Sequence, residues 1–167
     1  DKAIIRSVLN DCSQHRPVGL HLQAKEQPRE LPGVRDRWKY IEATMKKAPL
    51  FKMVGMLGSL GCPYTCSFCI DAVVPYQPLD FDEMKKDLQF LLTKYKRPRV
   101  GWHDPNFGIR FEDYMNAIED AIPPNSIDFV CESSLSLLSE PHVIRLKQNG
   151  FKAVLPGIES WYELGNK

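Results

Sequence analysis

Apolar residues recur along this chain in two alternating rhythms. Phe81, Met84, Leu88, Leu91, Leu92 and Tyr95 fall at helical spacing, and Asp80 with Glu83 three residues on supplies a start signal. Phe111, Tyr114, Met115, Ile118 and Ile122 repeat that pattern until Pro123-Pro124 stops it. Ser139-Glu140-Pro141 opens a further helix, with Pro where its missing N–H costs nothing, and Gly150 stands where a helix commonly ends. Between these stretches lie short apolar runs at 51–57, 99–103, 127–131 and 151–155, which read as buried strands.

Strand and helix alternating in this way predict a parallel sheet built of right-handed βαβ units. The expected fold is α/β: a partial parallel (β/α) barrel of about four strands, since a complete eight-fold barrel takes about 250 residues. Residues 1–50 are polar and mixed, and read as an irregular N-terminal lead-in. Short helices are expected there at 2–12 and 35–47, with a turn at 27–33. Residues 51–167 form the domain proper. Its last strand leaves an open edge, where more chain or a partner is expected to pack.

Composition narrows the function classes. The 167 residues carry a net charge of +1, with 43% hydrophobic and 26% charged residues, as in ordinary globular proteins. A general nucleic-acid binder shows a basic excess that this chain lacks. No apolar run approaches the roughly 18 residues of a membrane-spanning helix. The first six residues have no secretory pattern and no initiator Met, so a processed or excised piece is expected.

Five cysteines, three of them crowded, do not form a disulfide framework, and a reducing cytoplasm is the expected setting. Cys62, Cys66 and Cys69 follow the spacing C-x3-C-x2-C. Three thiolates on one short loop suit zinc or an iron–sulfur cluster better than a hard cation. Both structural zinc and most [4Fe–4S] clusters take four ligands. Three thiolates on a cluster leave one iron open to a cofactor or substrate. Three readings follow: a reactive cluster, a zinc module completed by a ligand such as His103, or buried thiols in a fragment without metal. Cys12 and Cys131 read as idle or buried thiols. His103 beside Asp104 is either a proton-transfer pair or a histidine satisfied by its neighbour.

The Cys62-Pro63-Tyr64-Thr65-Cys66-Ser67-Phe68-Cys69 loop, directly after a strand and with an aromatic residue before the last Cys, resembles the signature of radical S-adenosylmethionine enzymes. The segment 101–108 (Gly-Trp-His-Asp-Pro-Asn-Phe-Gly) is similar to a turn in members that often carry a cobalamin-binding domain. Cys131-Glu132-Ser133-Ser134 and Pro156-Gly157-Ile158-Glu159-Ser160 resemble the ends of the third and fourth barrel strands there.

The resemblance implies a [4Fe–4S] cluster on Cys62, Cys66 and Cys69. It implies S-adenosylmethionine on the open iron, cleaved reductively to a 5′-deoxyadenosyl radical that abstracts hydrogen from a substrate. Phe68 is then expected near the adenine, with Asp104, Glu132, Ser133, Glu159 and Ser160 as further cofactor contacts; a structural role, such as an ion pair for Glu132 or Glu159, is the alternative. Asp104 stands where many members have Gly-Gly-Glu to hold the cofactor's amino group. Cobalamin, through a domain outside this chain, and a reductant such as flavodoxin or ferredoxin are further implied partners. Substrate and reaction type are left open.

Overall fold

The computed structural model describes residues 2–16, 31–48 and 52–158. The chain divides into two compact units, Asp1–Leu31 and Pro32–Lys167. The first contains α1 (Lys2–Ser13). In the second, α2 (Val34–Lys47) packs on the sheet, so this helix, grouped with the lead-in from its polar sequence, belongs structurally with the domain.

Asp87 explains why. From α3 (Phe81–Lys94) its carboxylate accepts bonds from the backbone N–H groups of Val34 and Arg35 and from Arg35 Nε at 3.0 Å. The first turn of a helix leaves such N–H groups without partners, and here a carboxylate 53 residues away supplies the acceptor.

Four strands form a parallel sheet in the order β1-β4-β5-β6. They are β1 (Val54–Met56), β4 (Arg99–Trp102), β5 (Asp128–Ser134) and β6 (Phe151–Gly157). Each falls within or across an expected run, and each strand pairs in parallel with the next. Strand β1 is shorter than the 51–57 run, of which residue 51 lies outside the described set. A register irregularity at Phe129/Val130 sets Val130 against Ala153 instead of Lys152. Two more strands were not anticipated: β2 (Ser59–Leu60) and β3 (Gln77–Pro78) form a small antiparallel sheet of their own.

Alternate strand residues separate the two faces. Val54, Met56, Val100, Trp102, Phe129 and Cys131 are buried in one core with the apolar stripes of α3 and α4 (Phe111–Ala121). Five of the α4 residues picked by helical spacing, or just beyond its end, are buried there: Phe111, Tyr114, Met115, Ile118 and Ile122. On the alternate positions Glu132 and Leu155 are exposed. Helix α5 (Glu140–Gln148) leads into β6 through Gly150, with Pro141 in its first turn.

Candidate functional site

Parallel strands deliver all their C-terminal ends to one side of a sheet, where loops can converge. After β1 comes the loop that carries the three cysteines. After β4 comes Pro105-Asn106, and β5 and β6 end in Ser133-Ser134 and Pro156-Gly157. These segments border a single cleft of about 700 Å³. Cys62, Cys66, Cys69, Phe68, Glu132 and Ser133, all singled out from the sequence, line it. Glu159 and Ser160 lie outside the described residues.

The thiols face the cleft half-buried and unbridged. Burial pushes the Cys62 thiol up, and the neighbouring Cys69, Cys66 and Asp71 add to that, while a backbone hydrogen bond at Tyr64 acts the other way. Thiolates gathered this closely repel one another, which a cationic centre would relieve. Among the described residues no three His, Cys, Asp or Glu side chains are drawn together on a single ion-binding point. The donors therefore fit a thiolate-bound group by identity and by their common cleft, without being collapsed onto one ion.

Gly61, just before Cys62, has φ +67°, and a Cβ there would lie 2.3 Å from the Val74 carbonyl oxygen. Glycine lets the outgoing leg of the loop pass directly under the returning leg.

Other lining residues were not picked from sequence. Tyr64, Asp71, Leu135 and Leu155 face the cleft, as does Asn106. Asn106 Oδ1 accepts from Gly108 N at 3.1 Å, Ser133 Oγ at 3.0 Å and Ser134 N at 3.2 Å. It ties the end of β5 to the turn after β4. The Asn-Phe-Gly string, an Asx turn in the making, was the legible signal. Ser133, with its hydroxyl given to Asn106, is 5% exposed and braces the wall.

Asp104 is not in the cleft. It is fully buried, on the core side of the sheet end, and receives Gly58 N at 2.6 Å, Ser59 N at 3.1 Å, Ser59 Oγ at 3.0 Å and the Tyr114 hydroxyl. Four donors occupy the roughly four lone-pair sites of a carboxylate, leaving none for a cofactor amine. Nor is Asp104 the partner of His103. The in–out alternation of β4 continues just past its end, so His103 turns the other way and places Nδ1 3.3 Å from Glu132 Oε1. Cys131 is buried in the core, its thiol pushed up to about 12 by burial, with Asp104 and Glu132 adding to it, and Cys12 is exposed on α1.

No family model matches the chain, and comparison with curated proteins and with solved structures gave no match.

The cleft has a definite electrical character. Its described lining holds two carboxylates, Asp71 and Glu132, and three thiols, and no Lys, Arg or His. Tyr64, Phe68, Leu135, Leu155 and two prolines make the rest of it largely apolar. Such a cavity favours a cation that carries flat or apolar groups.

Proposed function

We propose that this chain is part of a radical S-adenosylmethionine enzyme, with Cys62, Cys66 and Cys69 as the ligands of a [4Fe–4S] cluster. One observation carries the reading: the three cysteines of the C-x3-C-x2-C loop share a cleft with the ends of three further parallel strands. Four parallel strands taken in chain order, apart from the small β2–β3 sheet, are also what the first half of a (β/α) barrel contains.

The donor chemistry suits the group. Thiolates are soft ligands, and the three of this loop would hold a [4Fe–4S] cluster with one iron left for a cofactor. Zinc, by contrast, draws four donors to within about 2.3 Å of one point. A reduced cluster held by these thiolates would supply the one electron for cleavage of S-adenosylmethionine to methionine and a 5′-deoxyadenosyl radical.

This chain's own residues prepare that event. Asp71 and Glu132 offer carboxylates to a cofactor whose sulfonium and ammonium are both positive, and charge-assisted bonds of this kind are the stronger sort. Phe68 and Tyr64 provide aromatic surface for an adenine. Leu135, Leu155 and Pro156 give one wall an apolar surface against which the uncharged parts of a bound cofactor can pack. Glu132 also orients His103, which can hold or pass a proton beside the cleft. A cytoplasmic setting and a low-potential electron donor such as flavodoxin or ferredoxin accompany this reading.

Anaerobic reconstitution of the chain with iron and sulfide tests it. Roughly four irons and four sulfides per chain are expected, with a broad brown absorbance that Cys62→Ala, Cys66→Ala or Cys69→Ala abolishes. Zinc bound without sulfide, or no metal at all, would overturn the reading.

A further inference from the structure

The loop that presents the thiols has little of its own to hold it in place. Ile70 and Val73 are 80% and 81% exposed, and Tyr64 and Phe68 are more than half exposed. Among the described residues its backbone bonds are short-range, from Cys69 N to Cys66 O at 3.1 Å, Ala72 N to Cys69 O at 3.3 Å and Val74 N to Asp71 O at 3.2 Å. Apolar burial, the usual source of loop order, is slight at the tip of the loop.

Its neck is different. Strands β2 and β3 pair the two legs, Ser59 against Pro78 and Leu60 against Gln77, and Leu79 N donates to Gly58 O at 2.8 Å. The outgoing leg is in turn bound by the buried Asp104 carboxylate through Gly58 N, Ser59 N and Ser59 Oγ. Tyr114, on α4, donates its hydroxyl to Asp104 Oδ2, the oxygen that Ser59 Oγ also reaches. Its ring lies so close that a Cβ at Gly58 would come within 2.5 Å of it. Burial and the adjacent carboxylate hold the Tyr114 phenol well above its ordinary range, so it remains a donor.

From this geometry we propose that Asp104, braced by Tyr114, is a positioning residue: it sets where the cysteine loop presents its three thiols. Asp104 follows β4 and Tyr114 sits on α4, so the neck is referenced to both the sheet and the helix layer. The functional consequence rests on the cluster reading; the mechanical one does not.

The test uses Asp104→Asn and Tyr114→Phe in the full chain. Asparagine keeps the shape but sets an N–H₂ donor where Ser59 Oγ and the Tyr114 hydroxyl now donate. Amide hydrogen exchange should quicken about tenfold or more across residues 57–80 in Asp104→Asn, and less in Tyr114→Phe, with α4 and β5 unchanged. After reconstitution both variants should bind iron yet show shifted g-values in the electron paramagnetic resonance spectrum of the reduced cluster.

Wild-type exchange across 57–80 in both variants overturns the proposal. So do unaltered g-values alongside quickened exchange, because Asp104 would then be structural only. If Asp104→Asn quickens everywhere it has unfolded, and Tyr114→Phe decides: quickening confined to the loop supports the proposal, and none overturns it. If the wild type binds no iron, the cluster reading fails, while the exchange comparison still judges the clamp.

Discussion

At the scale of single residues, what surrounds a group outweighs its chemical type. Two cysteine environments show this. Cys131 is sealed in the core with its thiol pushed up to about 12, whereas Cys62, Cys66 and Cys69 face a cleft half-buried. Because the thiolate is the nucleophile, iodoacetamide at pH 8 should label Cys12 and the three loop cysteines well before Cys131, as read by peptide mass spectrometry. Gly61 is a second case. A methyl there would meet the Val74 and Pro75 carbonyl oxygens at 2.3 and 2.7 Å, and these are backbone atoms that cannot rotate aside. With φ at +67°, Gly61→Ala should cost about 1–3 kcal/mol and impair iron uptake, checked by thermal unfolding and iron content.

At the scale of elements, single side chains join helices to their neighbours. Asp87 caps α2 from α3, so Asp87→Ala leaves buried N–H groups without acceptors. Urea unfolding should register a loss of about 1–3 kcal/mol. Arg145 on α5 ties that helix to side chains along α4, meeting Glu119 at 2.7 Å, Glu112 at 2.7 Å and Asn116 at 2.7 Å. Its guanidinium hydrogen bonds hold the Glu119 carboxyl below the ordinary glutamate range. A depressed carboxyl stabilises the fold above its unfolded pKa of about 4.3, and that stability is lost as pH falls through the lower folded value. Arg145→Met should therefore cost about 0.5–1 kcal/mol at neutral pH. Its stability should also fall less steeply than wild type below about pH 5, read from urea midpoints across an acid series.

At the scale of the whole molecule, the fold and the proposed chemistry are separable. The core is made by strand and helix residues, and none of the three loop thiols belongs to it. Replacing Cys62, Cys66 and Cys69 together by Ser should leave far-UV circular dichroism unchanged. The apo-protein's Tm should move by no more than about 2 °C, as expected for changes away from the core. Iron uptake should be lost entirely. Conversely, loading the wild type should raise Tm, since a ligand bound only by the folded state stabilises it by mass action.

Hydrophobic rhythm determined most of the framework. The order of strands and helices, the buried faces of α3 and α4 and the gathering of strand ends on one side follow from local periodicity and the handedness of βαβ units. Spacing also singled out the three cysteines, because they lie within eight consecutive residues and need no distant partner to be recognised together. What tertiary structure decided was which polar groups meet. Asp104 and His103 are neighbours in sequence, yet one is consumed by the loop neck and the other reaches Glu132, 29 residues on. Asp71 and the β2–β3 neck stayed hidden because they too depend on contacts between segments apart in sequence. A side chain's partners across strands depend on register and on which face it takes, and a one-residue step along a strand reverses that face.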